Sequence, residues 1–162
     1  MNLFKSMDIS ASGLTAQQLR MDLVANNIAN INTTQTGKYT AAGNPIPYTR
    51  EVATFVPSSS QTSFADVLGE SMGGTNAGNG VQVAAISNDV STPYRLVYNP
   101  TSPDAAKVAE PGIPVGYVRE PNVNIVTEMV DMISASRAYD ANVTALNATK
   151  SMDTKALEIG KG

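Results

Sequence analysis

Residues 122–162 read NVNIVTEMVDMISASRAYDANVTALNATKSMDTKALEIGKG, and the spacing of apolar side chains in this stretch decides the fold. Ile125, Met132, Tyr139 and Leu146 recur every seventh residue, with Met129, Val143 and Leu157 in a partner register interrupted by Ser136, Lys150 and Asp153. A proline-free seven-residue repeat predicts one long helix carrying a coiled-coil seam. Asn124 is placed to cap its N-terminus, Glu128 falls in the first turn, and Lys155 followed by Gly160 supplies a stop. At ~1.5 Å per residue such a helix is about 50 Å long.

The opening of the chain repeats the pattern. Met7, Leu14, Met21 and Ile28 share one register and Leu3, Val24 and Ile31 the other, with Ser10 and Gln17 in the remaining slots. Only Lys5, Asp8, Arg20 and Asp22 are charged among the first 32 residues. A helix facing water on its outer side ordinarily carries more charge, so this one is expected to be surrounded by protein. Asn26 and Asn27 are read as polar groups that set register between helices, and Asn32 as the residue that ends the helix in a left-handed turn.

Between the two helices lies a different composition. All 9 prolines fall from Pro45 to Pro121, which excludes a long helix there. Arg50 to Val56, Val81 to Ile86 and Tyr94 to Tyr98 are strand candidates, and residues 57–80, rich in Ser, Thr, Gly and Asn, read as a flexible loop with a short helical turn around Phe64, Val67 and Leu68. The expected organisation is an N-terminal helical arm (1–36), a β-rich middle domain (37–121) and a C-terminal helical arm (122–162). The fold class is α+β, its long terminal helices packing as a coiled coil. Both arms are expected to order only on packing against other subunits.

Composition narrows the chemistry. The 162 residues contain no Cys, His or Trp, which leaves no thiol nucleophile, imidazole base or nitrogen- and sulfur-ligated zinc site. The net charge of −3 argues against nucleic acid. No run approaches the ~20 apolar residues that span a bilayer, and the start lacks the pattern of a cleaved leader. The glycines from Gly73 to Gly80 match no phosphate-binding fingerprint. Glu128 and Asp131 would share a helix face, read as solvated beside Arg137 rather than metal-binding. The glycosylation-type triplets at Asn32, Asn142 and Asn147 are read as chance.

Ala25-Asn26-Asn27-Ile28-Ala29-Asn30-Ile31-Asn32-Thr33 resembles the N-terminal signature of bacterial flagellar rod and hook proteins. Gly116 to Val126, Glu128 to Ile133, Arg137-Ala138-Tyr139, Leu96 to Pro100 and Ala156 to Gly160 look like the short proximal-rod members, with Ala25 and Asp140 standing where Ser and Glu are common. The resemblance implies a structural subunit of the basal-body rod, exported without a cleaved signal peptide, assembling with copies of itself and other rod proteins into a hollow helical drive shaft that encloses the export channel. The membrane-ring base and the export apparatus are further implied neighbours. Neither a cofactor nor catalysis is expected. The assembly interface expected from the two seams comprises Leu14, Met21, Val24, Asn26, Asn27, Ile28 and Ile31 with Ile125, Met129, Met132, Tyr139, Val143, Leu146 and Leu157. Two alternatives keep parts of this reading: a secreted coiled-coil adaptor of the same export system, and a carboxylate-based hydrolase of cell-wall glycans.

Overall fold

A computed structural model describes residues 3–58 and 80–160. Helix α1 spans Leu3–Ala29, strands β1 to β4 span Glu51–Pro57, Val81–Asn88, Arg95–Tyr98 and Tyr117–Glu120, and helix α2 spans Ile125–Ile159. The strands form two two-stranded sheets, β1 with β2 and β3 with β4. The architecture is α+β, with long helices at the two ends and a small β region between them. Most of the flexible loop expected over 57–80, with its helical turn, lies outside the described residues.

Local chemistry sets the helix ends. Asn124 caps α2 as expected: its Oδ1 accepts the Val126 N–H at 3.0 Å and its carbonyl accepts the Glu128 N–H at 3.0 Å. The end of α1 differs from expectation. Among the described residues no residue other than glycine has a positive φ, so Asn32 makes no left-handed turn. Asn30 closes the helix instead, its Nδ2 donating to the Asn26 carbonyl at 3.0 Å and its Oδ1 accepting from the Thr33 hydroxyl at 3.1 Å.

Strand β4 was not anticipated. It is four residues long, sits between Gly116 and Pro121, and exists through antiparallel pairing of Arg95 to Tyr98 with Glu120 to Tyr117. Tyr98 and Tyr117 pair at its end with ring centroids 5.2 Å apart.

The chain divides into two compact units. The first comprises Met1–Met21, Ala53–Ala85 and Ile133–Gly162. Its fully buried positions among the described residues are small: Ala16, Ala135 and Thr149. Gly13 of α1 lies against Asn142 of α2, where an added Cβ would fall 3.0 Å from the amide nitrogen. The Ser12 hydroxyl accepts the Val81 N–H at 3.1 Å, and the Arg20 guanidinium stacks 4.8 Å from the centre of the Phe55 ring.

The second unit comprises Asp22–Val52 and Ile86–Met132. Its interior mixes polar and apolar side chains, with Asn27, Asn44, Asn122 and Glu128 buried beside Val24, Ala105, Ala106 and Val118. Asn44 joins two loops: its Nδ2 donates to the Val108 carbonyl at 2.8 Å while its Oδ1 accepts the Lys107 N–H at 3.1 Å. The Arg119 guanidinium donates to the Pro45 carbonyl, and the Thr34 hydroxyl donates to Asp104.

Along α2 the inward face follows Glu128, Met132, Ala135, Tyr139, Asn142, Leu146, Thr149 and Asp153, all buried or half-buried. Met132, Tyr139 and Leu146 occupy the expected register. The partner register holds in its middle, where Val143 is half-buried, and is corrected at its ends, where Met129 and Leu157 are 54% and 71% exposed; near the first of these Glu128 and Ala135 are the buried residues. At Met129 the physical reason is that the adjacent Glu128 is held inward by Asn27 and Arg50, which satisfy its carboxylate.

Candidate functional site

The densest chemistry in the molecule sits in the second unit, around the side chain of Arg50. This residue immediately precedes β1, and its N–H is held by Asn122 Oδ1 at 2.8 Å. Its Nε donates to Glu128 Oε1 at 2.5 Å, its second terminal nitrogen reaches Asp131 Oδ2 at 3.2 Å, and the first lies 3.8 Å from Asp89 Oδ2. Burial alone would lower the Arg50 pKa, but the hydrogen bond and charge of Glu128, with Asp131 and Asp89, raise it overall. The reading of Glu128 and Asp131 as one solvated face is therefore corrected at Glu128, whose side chain is fully buried; the Asp131 side chain remains 44% exposed, and both carboxylates pair with Arg50 rather than Arg137.

Asn27 completes the cluster. Its Nδ2 donates to Glu128 Oε2 and to the Glu51 carbonyl, each at 3.0 Å, and its Oδ1 accepts the Glu51 N–H and the Tyr48 hydroxyl, each at 2.9 Å. All four hydrogen-bonding positions of the amide are used, which permits its complete burial. Asn27 thereby links α1, the start of β1 and the first turn of α2. Burial, reinforced by the charges of Glu51 and Glu128, pushes the Tyr48 phenol up to about 12. Asn26 flanks the same cluster from its exposed side, its Nδ2 reaching the Tyr48 hydroxyl and a Glu51 carboxylate oxygen at 3.4 Å.

Asp89 forms the outer end of the cluster. Its carboxylate accepts the Ser91 hydroxyl at 2.5 Å, the Ser91 N–H at 2.9 Å and the Thr92 hydroxyl at 3.0 Å. The Ser91 bonds, then those of Thr92, hold it down to about 2. Asn122 ties this turn to the strand entry, donating to the Asp89 and Thr92 carbonyls at 2.7 and 3.0 Å.

This arrangement is suited to holding segments together. Every carboxylate that touches Arg50 is paired with it, and among the described residues no group of three or more potential ligands is arranged for a metal ion. Of the residues expected at the interface, Val24 and Asn27 are buried, Leu14, Met21, Ile28, Ile31, Met132, Tyr139, Val143 and Leu146 are half-buried, and Asn26, Ile125, Met129 and Leu157 are exposed. Sequence reasoning missed Arg50, Tyr48 and Asn122. The legible signal was Glu128, a charged residue with Ile125, Met129 and Met132 as its neighbours on the helix surface.

Two family models match the chain: the C-terminal domain of flagellar basal body rod FlgEFG proteins over residues 115–159, and the flagella basal body rod protein domain over residues 7–35. The flagellar basal-body rod protein FlgC of Bacillus subtilis (strain 168) is 49% identical over 162 residues, covering 99% of this chain and 100% of its own length. The chain belongs to the family of flagellar basal-body rod proteins FlgC. The FlgC of Borreliella burgdorferi is 44% identical over the full length of both chains, and that of Aquifex aeolicus is 33% identical over 99% of each. The two matched domains contain Asn27 at one end and Arg119, Asn122, Glu128 and Asp131 at the other. Membership of this family makes the chain a structural component of the flagellar rod. Among the described residues no helix is long and apolar enough to cross a membrane.

Proposed function

We propose that this protein builds the proximal part of a flagellar rod, packing with copies of itself and with other rod subunits into a hollow helical shaft that transmits torque and surrounds the export channel. The observation that carries this reading is the similarity to a rod protein at 49% identity over 99% of this chain and 100% of that relative. The terminal helices form the wall of the shaft, packing as coiled coils in the assembly, and the β-rich middle lies outside them. Contacts of this kind are heterologous and propagate without closing. The subunit works at the flagellar basal body as a structural element and performs no catalysis.

The outward position of Ile125, Met129 and Leu157 supports assigning those seam residues to neighbouring subunits, since large apolar side chains left in water at both ends of a helix favour a protein partner. The reading is tested by complementation. A Bacillus subtilis strain lacking its own FlgC is expected to regain basal bodies and swimming when it expresses this chain. Stable expression with no rod would overturn the assignment. In the same strain Ile28→Asp is expected to abolish rod formation at unchanged protein level, and normal basal bodies would remove Ile28 from the interface.

A further inference from the structure

Away from its buried residues, α2 carries large apolar side chains in water: Val126, Met129, Val130 and Ile133 are each more than half exposed. Val126, Val130 and Ile133 continue along the helix as Arg137, Asp140 and Thr144, all exposed and separated by four, three, four, three and four residues. That is the spacing of a coiled-coil seam, and such a patch marks a protein contact. Helix α1 has a face of the same spacing. Ala11, Thr15, Gln18, Asp22, Ala25 and Ala29 are all exposed, and none is a large apolar residue.

The two faces also match in charge. Asp22 is the one charged residue on the α1 face, and Arg137 is the one cation on the α2 face. Neither takes part in an ion pair or a side-chain hydrogen bond among the described residues.

We propose that the exposed face of α2 packs on the exposed face of α1 of a second copy of this chain, with the two helices parallel. In this register Val126 meets Ala11, Val130 meets Thr15, Ile133 meets Gln18 and Arg137 meets Asp22, while Asp140 and Thr144 fall on Ala25 and Ala29. The bulky apolar residues thus face uncharged ones, and the two opposite charges face each other. Other pairings of these faces lose that match. Antiparallel helices set Asp22 against Ile133, a shift of one heptad in either direction separates Asp22 from Arg137, and two copies of the α2 face set Arg137 against Ile133 or against itself. The apolar burial holds the contact and the charge pair sets its register, since an exposed ion pair adds little alone. Each copy offers one face of each kind, so the contact is heterologous and propagates from copy to copy. It rests on the shaft reading above and names the surfaces that build the shaft.

The test uses the Bacillus subtilis strain lacking its own FlgC. If the unaltered chain restores no basal bodies, the shaft reading fails and this pairing with it. Where it restores them, Asp22→Arg and Arg137→Asp are each expected to lose basal bodies at unchanged protein level, and the double variant to regain them. Normal basal bodies in both single variants would overturn the pairing and leave the shaft reading intact, as would a double variant no better than the singles. Because the chain contains no cysteine, Thr15→Cys together with Val130→Cys is expected to join chains into a ladder when isolated basal bodies are treated with a thiol oxidant. No ladder, or one formed instead by Thr15→Cys with Asp140→Cys, the pair that antiparallel helices would bring together, would overturn the proposed register.

Discussion

Helices α1 and α2 meet in both compact units, by opposite means. In the first unit the helices approach at Gly13, which lies against Asn142, and the unit's buried helical residues are the small Ala16, Ala135 and Thr149. In the second it is made of a fully hydrogen-bonded polar cluster, Asn27 with Glu128 and Arg50. Small residues allow close approach but remove little apolar surface from water, at ~25 cal/mol per Å². A buried charge contributes little net stability but is very intolerant of losing a partner. The first contact is thus forgiving and adaptable, whereas the second is exacting and fixes one geometry. A subunit that must hold its own junction while offering helix surface to neighbours uses both.

The comparison breaks most readily at Glu128. Glu128→Ala removes the one fully buried carboxylate from Arg50, leaves it Asp131 and Asp89, and takes one acceptor from the buried Asn27 amide, so the second unit is expected to lose about 3 kcal/mol in denaturant unfolding. The double variant Arg50→Met/Glu128→Leu is expected to recover most of that loss, because the uncompensated charge is gone. If the single variant unfolds like the parent chain, the exacting character assigned to the cluster is wrong.

Gly80→Ala tests the first unit at its tightest point. Gly80 has φ +97°, and a Cβ there would overlap the Ser12 hydroxyl oxygen at 2.2 Å. The expected cost is about 1–3 kcal/mol, smaller than at Glu128, with faster exchange of the Val81 amide as the local readout.

A finer probe of the adaptable contact is Gly13→Ala. Alanine gains about 1 kcal/mol of helix propensity over glycine, but its methyl group would press on Asn142, so the net change should be near zero. Paired with Asn142→Ala the full gain should appear in thermal unfolding. A gain already complete in the single variant would show that the helices are not in close contact at Gly13.

The smallest effects are in pH dependence. Asp89 titrates at about 2 in the folded chain against 3.8 ordinarily, so its contribution is complete above the ordinary value and disappears as pH falls through about 2. Tyr48 is raised from 10.0 to about 12, so its contribution is complete below the ordinary value and lost as pH rises through about 12. Unfolding followed across both ends, with Asp89→Asn and Tyr48→Phe as controls, should show each variant flattening only its own limb.

Much of this molecule is legible in one dimension because its causes are local. The seven-residue repeats, the confinement of proline to Pro45–Pro121 and the side chain of Asn124 are enough to place two long terminal helices and a β-rich middle. The nine-residue asparagine-rich signature likewise carried the resemblance that the family matches later established. Tertiary structure alone decided which face of α2 turns inward. Met129 is more apolar than Glu128, yet Glu128 is the buried one, because partners 101 and 78 residues away, Asn27 and Arg50, satisfy its carboxylate. The same holds for β4, which becomes a strand only when β3 pairs with it, and for Asn26 and Asn27, alike in sequence but exposed and buried in the fold. Local propensity and periodicity act over a few residues, whereas the burial of a polar group depends on where its distant hydrogen-bonding partners arrive.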